Sequence, residues 1–263
     1  MRTEIKRAFT GPLFFLSMII LFLCLQGFAV PSYISDLVNE PLEYRASALT
    51  LILGGVYFGG VILLLPFCAA VAHATSQVDD MRSSMLYWIA LRSGVVKYAL
   101  NKMIACFMAS AVSAGAAFAF HAAMWHILAL PYDPIAFPSH EIGFWSESFF
   151  AEWSTIQHGL PIIIEMTIGL AFSAGIWSVV ALATAVWMPD KLLTVVVPAC
   201  VYKLWNANLT YYLFGFRLPS PDTIFNDAQT MQHNLECLLA YGILLVLAAL
   251  IYFRGIKRRL CHV

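Results

Sequence analysis

The stretch from Leu160 to Trp187, LPIIIEMTIGLAFSAGIWSVVALATAVW, carries a single charged side chain, Glu165, among apolar and small residues. A helix rises 1.5 Å per residue, so about 20 such residues cross a hydrocarbon layer of ~30 Å. Runs of the same kind recur at Leu13–Val30, Ala48–Val71, Met103–Ala129, Leu192–Leu213 and Cys237–Phe253. Composition agrees, with 61% of the 263 residues hydrophobic, 11% charged and a mean hydropathy of +0.78. A water-soluble domain carries charge at about a quarter of its positions. The chain therefore reads as all-α: a polytopic membrane protein with six transmembrane helices in a single domain over residues 1–263.

The first run begins like a secretory signal, basic and then apolar. Its apolar part is ~18 residues long and no small-x-small cleavage site follows, so it is expected to remain as the first span. Ahead of it, Ile5 and Phe9 fall one turn apart, as do Arg2 and Lys6, which predicts a short interfacial helix lying on the membrane surface. Lys and Arg concentrate in the N-terminal tail, between the second and third runs, at Lys191 and in the C-terminal tail. The intervening loops hold mostly Asp and Glu. Lys and Arg mark the cytoplasmic side, so both termini are expected in the cytoplasm, with the chain embedded in a plasma membrane of bacterial type.

The familiar soluble chemistries are missing. No G-x-x-x-x-G-K-[ST] loop is present to bind nucleotide phosphates, and His140-Glu141 does not open an H-E-x-x-H pair. His121 and His126 are five apart, about 140° around a helix, and do not share a metal face. No metal site is expected, and nothing suggests nucleic acid as a partner. Cys24, Cys68, Cys106 and Cys200 fall within the spans without zinc or disulfide spacing, and read as packing residues.

Polar residues inside the spans are few. Glu165 is ~9 Å from the outer end of its span, and Lys203 is ~12 Å from the outer side in the next, by helix rise. A charge in lipid costs several kcal/mol, so these two are expected either to pair or, alternatively, to sit as an outward-reaching lysine and a protonated acid. After Pro198 the chain alternates aromatic and polar residues, which predicts a broken or re-entrant region between spans five and six. In the long outer loop, Ile142, Trp145, Phe149 and Trp153 recur at helical spacing, the pattern of an interfacial helix. Gly55 and Gly59, one turn apart, suit close helix packing.

Between the second and third runs lies a charged segment of about residues 73–100, including VDDMRSSMLYWIALRSGVVKYALNKM from Val78 to Met103. Met81, Met85 and Trp88 fall on one helical face, with Asp80, Arg82 and Ser83 off it. Such a segment suits either docking of a soluble partner or a simple basic loop that sets topology.

In order, Asp80, Ser83 and Ser84, then Arg92, Tyr98 and Lys102, resemble the corresponding loop in membrane subunits of type-2 ABC exporters. Ser84 stands where that family often has glycine. Length, six spans, a flat N-terminal helix and a broken region after span five are similar as well. The resemblance implies a permease subunit of an ATP-driven exporter, not itself an enzyme, paired with an identical or paralogous permease subunit. ATP and Mg would be held by a separate ABC ATPase subunit. The segment would be the coupling helix, with Asp80, Arg82, Met85, Trp88 and Arg92 facing the ATPase. Tyr57, Phe58, Tyr202, Trp205 and Asn206 would line a path for an amphipathic cargo: a peptide, a drug or a lipid-linked molecule. Two alternatives stay open: an immunity or sensor complex acting on a membrane-bound peptide, and an intramembrane enzyme built on Glu165, His121 and His126.

Overall fold

The computed structural model describes residues 2–41, 45–83, 85–130, 160–206 and 231–261. These are almost entirely helical, with no strand among the described residues. In order they form α1 (Arg2–Thr10), α2 (Pro12–Asn39), α3 (Ala48–Phe58), α4 (Val61–Ala69), a π-helical turn (Ala70–Ala74) and α5 (Ser76–Arg82). Then follow α6 (Met85–Ser93), α7 (Val95–Leu128), α8 (Leu160–Trp187), α9 (Lys191–Asn206) and α10 (Met231–Cys261).

Four helices are long and apolar enough to cross a membrane: α2, α7, α8 and the Leu238–Leu260 part of α10. Ala48–Val56 and Val61–Ala74 make a fifth only if taken together, because they meet at a bend of 58°. Gly60 forms that joint at φ 74°, a left-handed conformation that other residues adopt at a cost. Helix α9 has 16 residues, about 24 Å at helical rise, short of a full crossing within its described length. Of the six expected spans, then, four stand as single long helices and one as a broken pair. The expected re-entrant stretch beyond Asn206 and the Ile142–Trp153 stripe lie outside the described residues.

Two helices run well past their apolar cores. Helix α2 continues through Pro31 to Asn39, and α7 starts at Val95, two turns before the hydrophobic run at Met103. The extra turns of α7 carry Lys97, Tyr98 and Lys102.

Helix α8 occupies the centre. In its most apolar window 67% of residues are buried, against 28% in α2, so α8 is wrapped by protein while α2 shows a wide face to its surroundings. Small residues permit this packing. A Cβ on Gly175 would stand 2.6 Å from the Phe107 ring of α7, and one on Gly55 would meet Leu25 O at 2.8 Å. The expected role of Gly55 in close approach of helices is thus realised between α2 and α3. His121, buried behind it, has the Gln26 amide 3.1 Å from Nδ1 and Ile52 O 3.2 Å from Nε2. Gln26 Oε1 in turn accepts from Trp125 Nε1 at 3.1 Å. This chain of bonds ties α2, α3 and α7 together and gives each buried polar group a partner.

Candidate functional site

The sequence from Ala70 to Asp80, AVAHATSQVDD, places His73, Gln77 and Asp80 at i, i+4 and i+7, one polar face on an otherwise small and apolar segment. The π-helical turn and α5 direct that face inward, and all three side chains are buried. Across from them, α7 presents Tyr98 and Lys102, one turn apart, and α1 presents Glu4 and Arg7, also on one face.

The result is a buried ionic network at one end of the bundle. Asp80 is 0% exposed and accepts from Lys102 Nζ at 2.6 Å through one oxygen and from Arg7 Nη1 at 2.6 Å through the other. Lys102, also 0% exposed, donates to Glu4 Oε2 at 3.3 Å, and His73 Nε2 lies 3.8 Å from that same oxygen. The Tyr98 hydroxyl stands 3.1 Å from Gln77 Oε1 and 3.3 Å from Asp80 Oδ2. From α10, the Tyr252 hydroxyl donates to Gln77 Oε1 at 3.4 Å. One cluster therefore fastens α1, α5, α7 and α10 together.

Its charges are tuned by proximity. The Glu4 carboxyl is held down at about 2 by the His73 imidazole, with Lys102 and Arg7 adding to the pull and partial burial opposing it. Burial works to weaken the Arg7 charge, but the contact with Asp80 outweighs it and raises the guanidinium further.

Next to this network, α6 has two faces. Leu86 and Ala90 are buried against the bundle and Ile89 packs beside them. On the opposite side Met85 (51% exposed), Trp88 (68%) and Leu91 (76%) form an open apolar ridge at i, i+3 and i+6. Arg82 and Arg92, both exposed, bracket it. Gly94, at φ 82°, ends α6 and turns the chain into α7. The turn between α8 and α9 holds α5 from the side, through Lys191–Asp79 at 2.7 Å and Arg82–Asp190 at 3.8 Å.

The structure separates the expected site residues into several places. Met85, Trp88 and Arg92 share the open face, and Arg82 stands at its edge in contact with Asp190. Asp80 does not belong to that face: its side chain points inward, where it pairs with Arg7 and Lys102. Met81, expected on the stripe with Met85 and Trp88, packs partly into the core, and Leu91 takes its place. Lys203 is exposed on α9, Glu165 is half-buried on α8, and no ion pair joins them among the described residues.

The expected path residues divide. Phe58 is exposed and packs on Phe28, with ring centroids 4.9 Å apart. Tyr202 is buried, edge-on to Trp177 at 5.3 Å, and Trp205 bridges Trp177 and Tyr241 at 6.3 and 5.6 Å. These four form an aromatic seam between α8, α9 and α10. The side chains of Tyr57 and Asn206 lie outside the described set. Glu4, Arg7, His73 and Gln77 were missed as site residues, although the i, i+4, i+7 polar face in an alanine-rich segment was visible.

No family model, no curated protein and no solved structure matches the chain. No group of three or more potential metal ligands occurs among the described residues.

Proposed function

We propose that the chain is a permease subunit of an ATP-driven exporter of the type-2 ABC class, with six crossings, docking through α5 and α6 onto a separate ATPase. One observation carries this reading: α6 offers an open Met85–Trp88–Leu91 ridge bracketed by Arg82 and Arg92, on the helix that follows α5 and its ionic network with α1, α7 and α10. A ridge of three large apolar side chains, with a tryptophan at its centre, has the make-up of an interface anchor. The flanking arginines suit an acidic rim on the partner and would set register. Because α5 is locked to α1, α7 and α10, a push on α6 passes into helices that cross the membrane. The Phe58 and Trp205 regions suit an amphipathic cargo moving along a path shared with a second permease subunit.

The test is gentle extraction of the tagged chain from its membrane, with identification of co-purifying proteins. A P-loop ATPase is expected with the wild type and is expected to be lost from a Trp88→Ala/Arg92→Ala variant. Both side chains are exposed, so that variant should melt at the wild-type temperature. Absence of an ATPase from the wild type, or its undiminished recovery with the variant, overturns the reading.

A further inference from the structure

We propose that the outer face of α10 binds an anionic phospholipid, with Arg254, Lys257 and Arg258 holding its headgroup phosphate beside Trp187. Leu239, Ile243, Leu247, Leu250 and Ile251 are all exposed and fall within one stripe of the helix. Continued by one turn, the same stripe reaches Arg254, Lys257 and Arg258, exposed as well. The change from apolar to cationic along a single line is the order in which a phospholipid presents its acyl chain and then its phosphate. Trp187, at the end of α8, marks the boundary: its indole N–H donates to Ile251 O at 3.1 Å, and the Arg258 guanidinium lies 5.6 Å from its ring centroid. An amphipathic ring at that depth is favoured at a membrane interface.

At this end of the bundle the described carboxylates are already engaged, which leaves the three cations open to an outside anion. Asp80 is taken by Arg7 and Lys102, Glu4 by Lys102, Asp79 by Lys191, and Asp190 by Arg82 and the first turn of α9. Arg259 turns aside to bond Val186 O at 2.7 Å, capping α8. Among the described residues no carboxylate pairs with Arg254, Lys257 or Arg258. A phosphate anchored at the foot of an apolar stripe supplies the missing charge, and basic side chains at a membrane surface each favour anionic lipid by a useful amount. A soluble acidic protein would match the cations but would make no use of their continuity with the Leu239–Ile251 stripe, which a lipid spans with its acyl chain.

The proposal is tested by thermal melting of the full chain in mild detergent, titrated with phosphatidylglycerol or with phosphatidylcholine of the same acyl chains. Phosphatidylglycerol is expected to stabilise the wild type at lower concentration than phosphatidylcholine. In Arg254→Gln/Arg258→Gln that preference should shrink on the order of tenfold or more. A control with the same charge change on other exposed residues, Lys6→Gln/Lys97→Gln, should keep it. Equal loss in both variants, or no preference in the wild type, overturns the site. Competition by inorganic phosphate at equal concentration would show a bare anion site and overturn the lipid assignment. A change of oligomeric state in the variant without a change in lipid preference would assign the face to a second copy instead.

Discussion

Asp79 and Asp80 are neighbours in sequence and opposites in the fold. One helical step turns them about 100° apart, so Asp79 meets Lys191 at the surface while Asp80 is sealed between Arg7 and Lys102. The two are not equivalent energetically. A surface pair contributes little, whereas breaking a buried one strands a charge and costs about 3–5 kcal/mol. Asp80→Asn is therefore expected to lower stability by about 3 kcal/mol, the low end of that range, since Glu4 still faces Lys102. Asp79→Asn should be nearly silent. Combining Asp80→Leu with Lys102→Met removes both charges, and part of the loss should return because burial of a matched apolar pair carries no desolvation cost. Melting of the four proteins in one detergent checks the series. A single Asp80→Asn that melts with the wild type would mean the network is not what holds α5.

At the scale of elements, hydropathy read the long helices well because the membrane imposes one rule on every exposed turn. It failed where protein, not lipid, is the neighbour. The apolar run begins at Met103, yet helix α7 starts two turns earlier, where Gln77 and Asp80 satisfy Tyr98 and Lys102 while Lys97 stays exposed. Helix α6 carries apolar residues on both faces, so spacing alone named the wrong member of the outer stripe, Met81 for Leu91. The order Asp80, Tyr98, Lys102 was legible as a pattern, but its physical reason, one carboxylate gripped across two helices, was not. Helix α1 was legible as amphipathic, yet its Ile5 and Phe9 face rests beside Ala105 and Ala109 of α7. Its polar face latches through Glu4 and Arg7. Because the Glu4 carboxyl sits at about 2 in the fold against 4.5 ordinarily, the latch is at full strength above about pH 4.5 and weakens as pH falls toward 2. Protection factors of residues 2–10, with the intrinsic pH dependence of exchange divided out, should fall over that window in the wild type. They should be lower and flat with pH in Glu4→Gln, and wild-type protection that does not change across the window would sink the assignment.

For the whole molecule, the arrangement of ends matters more than any one contact. Helix α2 leaves the basic end and runs 28 residues, about 42 Å, to Asn39. The α3–α4 pair returns to the network, α7 leaves again to Leu128, where the Tyr33 hydroxyl meets its carbonyl at 3.2 Å, and α8 comes back to Trp187. The start of α1 and the end of α10 therefore share one end of the bundle with α5 and α6. Cysteine labelling separates this geometry from its orientation in the membrane. In a cysteine-free background, Thr10→Cys, Ser83→Cys and Lys257→Cys should all react with an impermeant maleimide from the same side. Val38→Cys, 77% exposed at the far end of α2, should react from the other. A split among the first three would break the one-ended bundle itself. Uniform reaction of those three from outside the cell, with Val38→Cys protected, would leave the bundle intact but turn it over. The α6 ridge would then face away from any cytoplasmic ATPase, and the exporter reading would fall while the fold stood. Reaction of the three only in inverted vesicles places the ridge, the ionic network and the basic foot of α10 together in the cytoplasm, the one compartment where an ATP-driven partner can reach them.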